Sequence, residues 1–154
     1  MADLQLQHLN RSRVDALRSG EYCLRLEPFS LSLKKLKKMR PGDWIDLGEE
    51  PPALEVSRDG KKIADAYPTE KGIRIGPPEP EPLLPVAEPK RALLEGRLTV
   101  LPTQRLAPGE ELELPRSVTE RVYLYDGEGR LRAVAGLIIH EGGYALEILE
   151  LGDG

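Results

Sequence analysis

The stretch Arg40-Pro41-Gly42-Asp43-Trp44-Ile45-Asp46-Leu47 recurs, chemically though not letter for letter, as Ala107-Pro108-Gly109-Glu110-Glu111-Leu112-Glu113-Leu114. Both copies read Pro-Gly-acid-x-aliphatic-acid-Leu, a tight turn feeding a strand whose aliphatic residues fall on alternate positions and so on one face. A second landmark holds the same register. Asp59-Gly60 and Asp126-Gly127 stand 67 residues apart, as do Gly42 and Gly109. Two turn signals at one offset, with strand patterns between them, argue for a duplicated unit, and any fold for this chain must accommodate two copies of it.

The rest of the chain divides around those copies. Residues 1–20 carry Leu4, Leu6, Leu9, Val14 and Leu17 at loose helical spacing and end at Gly20, which predicts a short N-terminal helix. A first unit runs over 21–76. Its opening strand alternates through Tyr22, Leu24, Leu26, Phe29, Leu31 and Leu33, and Pro28 in its middle suggests a bend at a sheet edge, because proline donates no ladder hydrogen bond. Lys34 to Arg40 makes a single helical turn before Pro41-Gly42, and strands are expected at 44–47, 53–57, 61–67 and 72–75. Residues 77–90, rich in proline and glutamate, form a semi-rigid linker. The second unit, 91–151, has strand patterns at 94–101, 110–114, 119–125, 130–139 and 143–151. The runs 121–125 and 133–139 are apolar enough for strands buried on both faces. The expected fold is therefore mainly β, in two units of roughly 55–60 residues, a size at which a lone core is marginal. Each unit gains by burying its apolar face against another, within the chain or between chains.

Composition narrows the function. The chain has 154 residues, a net charge of −4 and an aromatic content of 5%, so neither a general attraction to nucleic acid nor an array of base-stacking rings is present. Cys23 is the only cysteine, which excludes an intrachain disulfide and a cysteine-rich zinc site. No stretch has the roughly 20 apolar residues of a membrane-spanning helix, and the N-terminus lacks a secretory pattern, so a cytoplasmic protein is expected.

Catalytic patterns are scarce. His140 beside Glu141 could act as base and orienter, but a histidine at a hairpin end is the simpler reading. Gly127-Glu128-Gly129-Arg130 reads as a hairpin turn, having no helix behind it to bind phosphate. Cys23 sits in the alternating run as a small packed residue. Asp43, Asp46, Glu49 and Glu50 read as solvated acids, since their strand alternation does not converge on a metal. The expectation is no enzyme, no cofactor and no metal. Protein contacts are the remaining chemistry, with Trp44, Lys37, Lys38, Val56, Val134 and Leu137 as candidate partner-binding residues. Trp44 stands where the second copy has Glu111, so it is either core or an exposed interface anchor. The alternative is a small β-barrel that binds nucleic acid through the basic run Lys34–Arg40.

Phe29 to Leu47, then Asp59-Gly60-Lys61-Lys62-Ile63-Ala64 and Lys71-Gly72-Ile73-Arg74-Ile75, resemble the SpoA (surface presentation of antigens) domain family. The second unit is similar to a divergent copy, through Pro108-Gly109-Glu110, Asp126-Gly127 and Leu146-Glu147-Ile148, with Glu147 where the closing arginine stands in the first. Such domains occur in flagellar switch proteins and in tandem in the SctQ-type proteins of type III secretion. The resemblance implies two SpoA-like units packed as an intertwined pseudo-dimer, and a scaffold in a cytoplasmic ring or sorting platform, peripheral to the inner-membrane export apparatus. It implies as partners an ATPase regulator of the SctL/FliH type and other ring subunits, with a homo-oligomer as a further option, no nucleic acid and no insertion into the membrane. The family protein has a larger N-terminal region, so a fragment, an internally initiated product or a split gene is expected.

Overall fold

In the computed structural model, residues 21–59, 61–79, 90–103 and 105–152 are described. The first half contributes β1 (Cys23–Ser32), α1 (Leu33–Lys38), β2 (Trp44–Gly48), β3 (Leu54–Arg58), β4 (Lys61–Pro68) and β5 (Gly72–Pro78). The second contributes β6 (Arg91–Val100), β7 (Glu111–Glu113), a 3-10 turn at Arg116–Glu120, β8 (Val122–Tyr125), β9 (Leu131–His140) and β10 (Gly143–Leu151). The protein is mainly β, and these strands form one antiparallel sheet in the order β2-β10-β9-β8-β6-β1-β3-β4-β5-β7. The helix expected over 1–20 lies outside the described residues.

Exchanging β1 with β6, β2 with β7, and so on to β5 with β10, turns this strand order into its own reverse. The two halves meet at the antiparallel β1–β6 ladder, where Leu26 faces Gly96 and Phe29 faces Leu94. Each half also sends its second strand to the far side of the other: β2 pairs with β10, and β7 pairs with β5.

The recurring Pro-Gly turns secure this exchange. The Gly42 N–H donates to the Ile148 carbonyl at 2.8 Å, and the Ile148 N–H donates to the Asp43 carbonyl at 2.8 Å. In the other copy the Gly109 N–H donates to the Ile75 carbonyl at 2.7 Å, and the Ile75 N–H to the Glu110 carbonyl at 2.9 Å. Gly42 and Gly109 have φ of 95° and 84°, a region that favours glycine. Close backbone approach is the second requirement. A Cβ on Gly72 would lie 2.0 Å from the Leu112 carbonyl oxygen of β7, and one on Gly143 would lie 2.1 Å from the Gly48 carbonyl oxygen of β2. The first residue of each closing strand is thus a glycine where the other half's strand docks.

Alternation divides the sheet into two faces. Leu24 and Leu26, Val56, Leu94 and Leu98, Val122 and Leu124, Ala133 and Ala135, and Leu146 belong to a main core to which all ten strands and α1 contribute. Residues of β5 and β10, near opposite ends of the strand order, line one cavity with Leu24, Leu26 and Leu98, so the sheet wraps around that core. The shared core answers the size problem of each half, because neither has to bury its apolar face alone. α1 and its C-cap close part of it with Leu36 and Met39, and its N-terminus is capped by the Ser32 hydroxyl, which accepts from the Lys35 N–H.

Several expectations change. Pro28 is not at an edge: β1 is central, and the proline sits within the register shift between Leu26 and Phe29, where a bulge removes the need for its missing N–H. The strand expected from residue 119 starts at Val122, because 116–120 form the 3-10 turn. The linker was expected from residue 77, but β5 continues through Pro77 to Pro78, which pairs with Ala64. Ile139, expected in a strand buried on both faces, is 77% exposed at the end of β9.

Candidate functional site

Trp44 opens β2, the strand at one end of the sheet, and is 52% exposed. Its ring stacks on His140 at 5.5 Å between centroids and 26° between planes. The imidazole is fixed by the hairpin itself, since its Nδ1 accepts the Gly142 N–H at 3.1 Å. Beneath the indole, a groove of about 270 Å³ is lined by Leu31, Lys35, Met39, Asp43, Trp44 and Ile45. It joins α1 to the exchanged strand, and it combines an aromatic ring, apolar walls, an ammonium group and a carboxylate.

The pair across the ladder explains why the copies differ here. Trp44 faces Glu147 on β10, while at the other end of the sheet Glu111 faces Arg74 on β5. Glu111 and Arg74 approach to 3.9 Å, and the Thr69 hydroxyl donates to Glu111 at 3.0 Å. Two substitutions that look independent in sequence, tryptophan for glutamate and glutamate for arginine, therefore lie opposite each other. One end keeps a polar cross-strand pair and the other exposes an indole.

Of the remaining candidate contact residues, Lys37 and Lys38 are exposed on α1. Lys35, from the same run, is the lysine that shares the groove with Trp44. Leu137 is half-buried and lines the larger cavity of about 420 Å³, together with Leu24, Leu26, Leu98, Tyr144, Lys71 and Arg116. Val56 and Val134 are corrected. Val56 is 0% exposed inside the main core, and Val134 is buried with Tyr123 and Tyr125 on the opposite face, so neither offers a surface to a partner. Sequence reasoning missed His140 as the support of Trp44, because a β9–β10 hairpin must pair with β2 before the two rings can meet.

Charge is gathered where the halves join. Arg25 on β1 donates from Nε to Glu55 at 3.1 Å and from Nη1 to Glu95 on β6 at 2.9 Å. Arg97 binds Glu95 at 3.2 Å, and Lys62 reaches Asp65 at 2.8 Å, Glu79 at 3.2 Å and Glu55 at 3.9 Å. Burial pushes the Glu55 carboxyl above the usual range, opposed by the Arg25 guanidinium. Asp65 and then Glu79, both hydrogen-bonded to Lys62, hold its ammonium above its ordinary value against burial. At the second Asp-Gly turn, burial would raise Asp126, but the Arg130 and Glu128 N–H groups and the Arg132 side chain outweigh it and hold the carboxyl low. That turn binds its own backbone, in keeping with the hairpin reading of 127–130. Burial raises the Cys23 thiol to about 11, leaving almost no thiolate at neutral pH.

Among the described residues, no three His, Cys, Asp or Glu side chains gather to hold a metal, and no helix is long and apolar enough to cross a membrane. No known family model matches the chain, and no curated protein is significantly similar to it.

Proposed function

We propose that this protein is a non-enzymatic binding scaffold built from two SpoA-like units that exchange their second strands as an intertwined pseudo-dimer. The observation that carries the reading is the reciprocal Pro-Gly docking, Gly42 to Ile148 and Gly109 to Ile75, on a strand order that maps onto itself when the halves are exchanged. Duplication followed by divergence accounts for it: one end of the sheet retains the Arg74–Glu111 pair, and the other carries Trp44 above its groove.

In this reading the Trp44 end receives a protein segment. An exposed tryptophan beside an apolar groove has the character of an interface anchor, and Lys35 and Asp43 at its walls supply polar contacts. The proposed setting is the cytoplasmic ring or sorting platform of a type III secretion or flagellar export system, peripheral to the membrane, with the SctL/FliH-type ATPase regulator and other ring subunits as partners. The test is calorimetric titration of the chain with the regulator encoded in the same genome. Micromolar or tighter binding, weakened at least tenfold by Trp44→Ala, is the expected result. No binding to the folded chain would overturn the assignment.

A further inference from the structure

The larger cavity lies across the junction of the two halves. Pro51 and Val118 both line it, as do Pro52 and Thr119, and each of these pairs is 67 residues apart, the offset that separates Gly42 from Gly109. Ile73 and Tyr144, each the residue after a docking glycine, line it as well. Corresponding positions of the two copies therefore share one cavity, and an occupant touches both halves at once. Small-molecule sites favour such junctions.

Size and lining together describe the occupant. A close-packed core leaves few voids larger than a water molecule, whereas this cavity measures about 420 Å³ and reaches Leu24, Leu26 and Leu98, which are at most 1% exposed. That volume falls within the roughly 300–1,000 Å³ of small-molecule sites, and the three leucines offer it only hydrocarbon. Glu70, Lys71 and Arg116, all exposed, also line the cavity, so it runs from the core to the surface. The Leu114 N–H donates to the Lys71 carbonyl at 2.9 Å, which ties the β4–β5 turn to the segment that carries Arg116. Two cations thus stand against one carboxylate, and none of the three forms an ion pair among the described residues.

We propose that this cavity binds a medium-chain fatty acid, with its hydrocarbon chain against Leu24, Leu26 and Leu98 and its carboxylate at Lys71 and Arg116. A wholly apolar ligand leaves both cations without a partner, and a compact polar anion leaves the leucine wall in water. A single negative charge on an apolar chain matches both ends, and it balances the excess of one cation over Glu70. The cavity shares no lining residue with the Trp44 groove, and the ligand belongs to it whether or not the chain is a scaffold. Because both halves line the cavity, bound acid favours the joined, folded state.

The test uses the whole chain and decanoate, kept below the concentration at which it forms micelles. Titration calorimetry is expected to show one site, and the terminal methyl of the probe is expected to give nuclear Overhauser contacts with methyls of Leu24, Leu26 or Leu98. Affinity should fall roughly fourfold for each methylene removed on the way to octanoate. The Lys71→Glu/Arg116→Glu variant alters two exposed side chains; it should weaken decanoate about tenfold or more and leave decanol within about twofold. Decanol binding the unaltered chain as tightly as decanoate would overturn the proposal, as would an unchanged decanoate affinity in the variant. Absence of binding, or probe contacts confined to the Trp44 groove, would overturn it too. The same holds for contacts of those leucine methyls with residues 1–20 in place of the probe. Should the variant fail to fold, the decanol comparison and the methyl contacts in the unaltered chain decide.

Discussion

Replacing Arg25 by methionine removes the cation that ties the halves together while keeping most of the side chain's bulk. Its guanidinium meets Glu55 of the same half at 3.1 Å and Glu95 of the other half at 2.9 Å, and all three side chains are largely buried. At an effective dielectric of about 20, a unit pair at that separation attracts by about 5 kcal/mol gross. Desolvation offsets much of this in the intact network, but a carboxylate left behind keeps its own desolvation cost, so the expected loss is about 3–5 kcal/mol. For a chain of this length that lowers the melting midpoint by roughly 6–20 °C.

The loss depends on pH with a definite sign. The Glu55 carboxyl already titrates above its ordinary 4.5 because burial outweighs the help from Arg25, so the folded state holds this proton more tightly than the unfolded chain. Stability from such a group is present at low pH and is lost as pH rises through the folded-state value. Without Arg25 the carboxyl rises further and the window widens upward, so Arg25→Met should be less damaging at pH 5 than at pH 7.5. Adding Glu55→Gln should recover part of the deficit at pH 7.5. Urea unfolding followed by far-UV dichroism at the two pH values measures all three. A loss below about 1 kcal/mol, or one that is equal at both pH values, would refute the claim that a desolvated carboxylate sets the cost.

The same Gly→Ala change should act by two mechanisms at two sites. At Gly42 nothing lies within 4 Å of the added Cβ, so only the strain of φ 95° is incurred, about 1–2 kcal/mol. At Gly143, where φ is 137°, the strain is joined by a clash, since the Cβ meets the Gly48 carbonyl at 2.1 Å and β2 has to move; hydrogen exchange of amides 44–48 should accelerate there well beyond the Gly42→Ala level. Cutting the chain at a protease site inserted within 80–89 should leave both halves co-eluting on size exclusion, because β2 and β7 each pair with the opposite half. Trp44→Ala should change stability by less than about 1 kcal/mol in urea, since the ring is half exposed, while binding to the regulator falls at least tenfold.

What the sequence disclosed about this fold is what turns and alternation encode. Pro41-Gly42, Asp59, Pro108-Gly109, Gly127–Arg130 and Glu141–Gly143 all fall where chain direction changes, because each supplies a backbone geometry few residues adopt. Alternation located the strands, and the apolar runs 121–125 and 133–139 pointed to burial on both faces, which 122–125 and 133–136 show. Arg25, Glu55, Glu95 and Arg97 occupy the positions that a one-sided sheet gives to water, and only pairing across strands distant in sequence shows that they neutralise one another. Val134 was named as a contact residue although it lies in the run read as buried on both faces, and the burial is what the structure shows. Pro28 misled because a bulge can host proline inside a sheet as well as an edge can. Of the candidate site, Trp44 was legible as the position where the copies differ, but His140 and Lys35 were not. They reach it through contacts with β9 and α1 that no local pattern contains.

The exchange of strands also bears on why the Trp44 end could diverge. The apolar side of β2 is fixed by Ile45, buried in the main core opposite Leu146, just as Leu112 is buried opposite Ile73. Those pairs and the Pro-Gly hydrogen bonds hold each strand without help from its outward residues. The outward pair is therefore free to differ, and it differs on both strands: Arg74 with Glu111 at one end, Glu147 with Trp44 at the other. A salt bridge between exposed side chains contributes little to stability, so the end without one forgoes little. An indole in its place adds little in isolation but presents a large ring to a partner. The registration mark that fixes the fold thus also carries, one residue past its acid, a position at which the two copies present different side chains, Trp44 and Glu111.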